Sequence, residues 1–545
     1  MTTRRDFLRH AGACALAAVH TAREANTPHE APQAARRKDR RAAAAFRLRC
    51  DAARAYLDRP SPLPRTNGDE DRYEDRRASF SKTLPHNDLG EVQPAAYKAW
   101  LTILAGGDPQ AFEHEPRHPA AKVKLNDPQA AYAFELIGVD SHATHLPPPP
   151  AFASPRMACE MVEVYWQALA VDVPFRDYDS HPLIAAAASD LKACSEPLVA
   201  DAHWKPTPAT LFRGETPGCL VGPYLSQFLW LDVPYGVGTI QQRYRFPARG
   251  QSFLTQRGEW VACQSGIESS SKLRFDTEPR YICSNRELAE FVHRDFSFQS
   301  YLNAALIMLQ MGEDALSPTN PYRGSATQFG DITFGSKNVL SLLGQVSLVA
   351  QKGAYYHKWL VHRRLRPEAF AGRVETHLSG GKEYDMHGDV LHCDAVGRLK
   401  AANGTQLLPV AFPEGCPTHP SYPAAHATNA GACATILKAF FNEDFPIPKP
   451  VQAKADGSGL ESWDGDKLTL GGETDKLASN IALGRDAAGV HFRSDSIQGL
   501  FVGEEQAIGV LCDYSRTYNE RFAGFVLARF DGRKIEIANG AVKTV

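Results

Sequence analysis

Apolar residues recur at three- and four-residue spacing through five stretches of the chain: 159–170, 288–311, 339–364, 427–441 and 496–514. That period belongs to a helix with one buried face, so each stretch is predicted to be helical. Strict two-residue alternation is weak, and only 237–245 and 280–283 read as short strands. Pro- and Gly-rich segments such as 146–150 and 409–423 interrupt the helices. The pattern predicts a mostly helical protein whose long loops carry its chemistry.

Length and charge add to this picture. At 545 residues the chain can bury a large core, and size alone suggests about two to four domains. Past the N-terminus no apolar run reaches the roughly 18 residues of a membrane span. Residues 1–50 hold 11 Lys and Arg against 4 Asp and Glu, a surplus of +7 that leaves −9 for the rest of a chain whose net charge is −2. A basic leader on an acidic body is not the pattern of a nucleic-acid binder. Arg4-Arg5 stands ahead of a small-residue stretch at 11–19. Residues 1–22 therefore read as a twin-arginine signal for export to the periplasm. The alternative is an ordinary basic N-terminus on a cytoplasmic protein. Residues 23–45, rich in Ala, Arg and Pro, are expected to be a linker with little fixed structure. The eleven cysteines form no Cys-x-x-Cys pair, which argues against a zinc or iron–sulfur site. Their odd number and wide spacing argue against a dense disulfide framework.

The candidate chemistry lies in three islands: Lys358 to Arg366-Pro367, His419 to His426, and Arg485 to His491. One lysine, two arginines and paired histidines brought to one point would neutralise several oxygens of an oxyanion. A histidine beside that anion can be nucleophile, metal ligand or proton carrier. Lys358 falls in the last turns of the 339–364 helix. Arg366, preceding a proline, should leave that helix. Pro423 suits the first position of the next helix, so the N–H groups of Ala424 and Ala425 should point out of its start, where anions bind. Arg485 and His491 are six apart, about 240° around a helix, so a break is needed, and Gly489 offers it. Singly, each feature is weak, since a cation at a helix end is commonly a solvated cap.

Together, Lys358, Arg366-Pro367, Ala424-Ala425-His426 and Arg485 with His491 resemble the vanadium-dependent haloperoxidases, in the superfamily they share with type 2 phosphatidic acid phosphatases. The eight-residue step from Lys358 to Arg366, and His419 seven residues before His426, look like the algal bromoperoxidase branch. The likeness extends from about Phe46 to the C-terminus. It implies an all-α fold of two four-helix bundles with long loops and minor β. Residues 46–330 would form the first bundle and outer elements, and 331–545 the catalytic bundle. It further implies one vanadate per chain and oxidation of halide, bromide favoured, by hydrogen peroxide to hypohalite that halogenates an organic acceptor. A homo-oligomer, a dimer first, is expected. His491 would bond the metal; Lys358, Arg366, Ala424, Ala425 and Arg485 would hold the oxyanion; His426, Lys358 and His419 would serve catalysis. The chain departs from the family pattern at Ala424, where a serine is usual, at Ala425 for glycine, and at Tyr355 for tryptophan. The lost serine hydroxyl corresponds to one hydrogen bond to a charged group, roughly 1.5–3 kcal/mol. The same cage would also suit an acid phosphatase working through a phosphohistidine at His491, or a degenerate protein that only binds an oxyanion.

Overall fold

The computed structural model describes residues 32–199 and 204–545; the expected leader, 1–22, lies outside them. The N-terminal unit, ending at Arg59, contains the helix α1 (Pro32–Leu57). Helix therefore runs through 32–45, where a linker was expected. The Ala and Arg that read as linker composition are also among the strongest helix formers.

In the second unit, Pro60–Val545, two groups of helices bury two main cores. The first group comprises α2 (Pro155–Leu169) and α3 (Pro182–Ala193). The second is reached through α4 (Asn285–Arg294), α5 (Gln299–Leu309) and α6 (Ser336–Tyr356). The chain then returns to the first group with α7 (Pro367–Leu378) and α8 (Asp394–Asn403). It completes the second with α9 (Ala425–Phe440), α10 (Leu470–Ala487) and α11 (Arg493–Ser515). Apolar side chains of α2, α3, α7 and α8, including Met161, Ile184, Phe370 and Leu399, share one core. Helices α6, α9, α10 and α11 pack together around the other. Both cores draw residues from either side of position 330.

Helix α9 is the axis of the second group, buried from Ala427 to Phe440. Its small residues allow α11 to approach backbone to backbone. A methyl group on Gly503 would collide with the Thr428 carbonyl, and one on Gly431 with that of Leu500. Strands are few: the antiparallel pairs β1 (Val233–Tyr235) with β2 (Gly238–Ile240) and β3 (Val451–Ala453) with β4 (Leu460–Ser462). A C-terminal meander adds β5 (Phe525–Ala528), β6 (Lys534–Ala538) and β7 (Ala541–Thr544). The fold is thus all-α with minor β. Of the two stretches read as strands, 237–245 supplies β2, whereas Arg280 makes only an isolated bridge to Tyr244.

Two predicted helices differ from observation in ways that shape the site. The stretch 288–311 is two helices, α4 and α5, parted at residues 295–298. The apolar period continues across the break because both halves face the same core. The stretch 339–364 is α-helical only to Tyr356 and continues as a wider π-turn, His357–His362, closed by Arg363 at φ 38°. The π-turn buries Lys358 and, beside it, Trp359, whose ring packs edge-on against Phe80 and Trp100. Such turns are common at functional sites.

Candidate oxyanion site

The site is built where α9 begins, α10 ends and the loops before α7 and α11 meet. Arg366 caps α7 in extended conformation, φ −92°, ψ 159°, with Pro367 at the first helical position. It leaves the preceding helix as expected. Helix α10 ends at Ala487, and Gly489 at φ 77° breaks the chain so that Arg485 and His491 reach one cavity. Pro423 lies two residues too early for its expected role as the first helical position. The cap of α9 is Ala424, and the helix starts at Ala425. The Ala424 N–H is not free either, because it donates to the Asp495 carbonyl at 2.9 Å. The amides that leave the helix start without intrahelical partners are those of Ala425, His426 and Ala427.

A cavity of about 260 Å³ is lined by Ala425, His426, Arg485, His491, His419 and Tyr355, among others. Arg366 is buried against it. Its guanidinium meets His491 Nε2 at 2.9 Å and His419 Nδ1 at 3.0 Å, and donates to the carbonyls of His419 and Val490. Lys358 is also fully buried, its ammonium donating to the carbonyls of Pro420 at 2.6 Å and Ser421 at 2.8 Å. Ala424 departs from its expected place. It is wholly buried in the bundle core and, like Lys358 and Arg366, is not among the residues lining the cavity.

Two residues that spacing did not reveal hold these groups, and a third lines the cavity. Asp495, one turn into α11, accepts from His491 Nδ1 at 3.0 Å, from the Phe492 amide, from Ser421 Oγ and from Arg364 at 2.6 Å. With Nδ1–H given to Asp495, Nε2 of His491 is the acceptor nitrogen, and it takes the hydrogen bond from Arg366 Nη1. Asp295, in the break between α4 and α5, meets His426 Nε2 at 3.0 Å. His293, stacked on Phe412 at 3.7 Å, bridges Glu290 and Glu414 beside the cavity. The four-residue step from His491 to Asp495 was the one signal available; Asp295 and His293 come from a distant segment.

The electrostatics call for an anion. Burial, then the neighbouring Arg366, pushes the Lys358 ammonium well below its ordinary pKa, and Arg485 adds to the effect. Burial and Arg366 bring Arg485 down to about 10. Burial and Arg366 likewise keep His491 neutral. Burial opposes ionisation of Asp495, yet Arg364 and His491 hold its carboxyl well below the usual range. Its charge is thus already shared with Arg364. Arg485 Nη1 is satisfied by the Val292 carbonyl at 2.8 Å, but buried Nε has no partner among the described residues. Arg485, the first amides of a helix and the His491 imidazole line the cavity, and Arg366 and Lys358 are buried behind it, with Nε2 of His491 accepting from Arg366 Nη1; these residue types suit a tetrahedral oxyanion bonded to nitrogen. Vanadate fits these residues.

Comparisons with known proteins point to the same cofactor. Residues 381–520 match the family model of the VCPO second helical-bundle domain. The chain is 33% identical to a vanadium-dependent bromoperoxidase of Ascophyllum nodosum, over 92% of this chain and 93% of that protein. It is 32% identical to one of Corallina pilulifera, over 91% and 98% respectively. Its fold superposes on the second vanadate-dependent bromoperoxidase of Ascophyllum nodosum, a homohexamer in that structure, with a TM-score of 0.88. That superposition has 26% identity and covers 96% of this chain and 93% of the other. With this extent of likeness, the chain belongs to the family of vanadium-dependent bromoperoxidases.

Proposed function

We propose that the protein is a vanadate-dependent peroxidase that uses hydrogen peroxide to oxidise halide, bromide above all, to hypohalite, which halogenates organic acceptors. The observation that carries this reading is the group of buried cations around His491, with Arg485 Nε unpartnered. When bound, vanadate supplies a Lewis-acid centre that makes peroxide electrophilic without a change of metal oxidation state.

In this reading His491 offers Nε2 to the metal, and Asp495 fixes its tautomer through Nδ1. Lys358, Arg366, Arg485 and the Ala425 amide neutralise the oxyanion. Because Nε2 of His426 is engaged by Asp295, Nδ1 is the nitrogen free to exchange a proton with peroxide at the cavity. His419 braces Arg366 through its ring and its carbonyl. We also infer export behind the twin-arginine leader and a homo-oligomer, the latter supported by the homohexameric relative.

Vanadate addition to the apoprotein tests the reading. Bromide- and peroxide-dependent halogenation should appear and saturate near one vanadate per chain. A basal phosphatase activity that vanadate inhibits, or vanadate binding with no halide oxidation, would overturn it.

A further inference from the structure

A second cavity, of about 500 Å³, opens on the π-turn that carries Lys358. That volume is in the usual range for small organic ligands. Leu63, Pro64, Leu146, Pro147, Pro148 and Val361 give it mainly apolar walls, and His357 and His362 enter from the π-turn. His357 is 4% exposed. Its Nε2 lies 2.9 Å from Thr144 Oγ1, and that hydroxyl lies 2.8 Å from the Ser141 carbonyl, to which it must donate. The hydroxyl proton is therefore committed, so His357 Nε2–H is the donor to Thr144 and Nδ1 is a bare acceptor. Nδ1 of His357 and both ring nitrogens of His362 have no partner among the described residues. A buried acceptor in an apolar cavity calls for a ligand that donates a hydrogen bond.

Charge narrows the class. Burial pushes His357 down to about 4 and, with His357 beside it, His362 down to about 3. Both rings stay neutral at ordinary pH and offer no counter-charge to an anion. The arginine of the lining, Arg65, is on an exposed segment, and His142 stands 3.6 Å from Asp140.

We propose that this cavity is a binding site for a neutral aromatic alcohol of the phenol class, its hydroxyl donating to His357 Nδ1 and its ring lying against the proline and leucine walls. A phenol is a stronger donor than an aliphatic alcohol, and its flat ring suits those walls. The site is distinct from the oxyanion cavity and shares no lining residue with it. Binding requires neither vanadate nor peroxide, so it stands apart from the proposed reaction.

The test is calorimetric titration of the full chain, without vanadate, using 2-naphthol, 2-methoxynaphthalene and 2-naphthalenesulfonate. Naphthol should bind once per chain, about tenfold more tightly than its methyl ether, which cannot donate. The sulfonate should bind weakest. His357→Phe should abolish the preference for naphthol over the ether. Should that variant fail to fold, the ranking on the unaltered protein still decides, together with the ¹⁵N shift of His357 Nδ1 in histidine-labelled protein on naphthol addition. Equal affinity for naphthol and its ether, tighter binding of the sulfonate, absence of naphthol binding, or an unmoved His357 resonance would overturn the proposal.

Discussion

Asp495→Asn removes one negative charge from the group behind His491 while keeping nearly the same shape. In the intact protein this carboxylate accepts from His491 Nδ1 at 3.0 Å, the Phe492 amide at 3.0 Å, Arg364 at 2.6 Å and Ser421 Oγ. An asparagine can keep only some of these, because its NH₂ group cannot accept, and the bond that it keeps to His491 no longer favours a basic imidazole. Outer partners of a metal-bound histidine typically contribute about 10–100-fold in metal affinity, or roughly 1.4–2.7 kcal/mol. The half-reconstitution concentration of vanadate should rise by that factor in a titration of apoprotein followed by bromide oxidation. Turnover at saturating vanadate should change much less, since proton transfer is assigned to His426. Arg364 keeps Glu160 at 3.3 Å, so it does not become wholly unpaired and the fold should survive. An unchanged half-reconstitution concentration in a folded variant would refute the role given to Asp495.

Two other outcomes follow from the same structure. Because Ala424 is wholly buried among the apolar side chains of the bundle core, Ala424→Ser should leave vanadate affinity unimproved in the same titration; a gain of about tenfold, one hydrogen bond to a charged group, would show that the hydroxyl reaches the oxyanion. Burial pushes His86, His357 and His362 down to about 3, 4 and 3. The unfolded chain therefore binds more protons than the folded one as pH falls from about 6.5, and each buried ring should cost up to about 1.4 kcal/mol of stability per unit down to its folded value. Urea midpoints measured from pH 7.5 to 5 should fall, His86→Gln should flatten the decline, and an identical profile in that variant would contradict it.

The candidate oxyanion residues stood out in the sequence because their types and spacings are those that an anion demands. Arg366 before Pro367, and Gly489 between Arg485 and His491, announced local breaks through backbone sterics. The supporting shell was not legible. Asp295 meets His426 from 131 residues away, and its helix break is hidden because α4 and α5 present apolar faces to one core. The π-turn at His357–His362 also escapes a period count, since one wider turn barely disturbs apolar spacing. Composition misled at 32–45, where Ala and Arg serve helix and linker equally. At Ala424 local capping rules placed an N–H in the open, whereas the Asp495 carbonyl, 71 residues on, takes it. Tertiary contacts decided each of these cases.

His491 is proposed as the residue that bonds vanadium, and this is the assignment on which the rest depends. It is tested most directly by measuring bound vanadium per chain and bromide oxidation together in reconstituted wild-type and His491→Ala proteins. The wild type should hold one vanadium per chain and oxidise bromide, while the variant should hold none after gel filtration and be inactive. Stoichiometric vanadium with full activity in the variant would contradict the account.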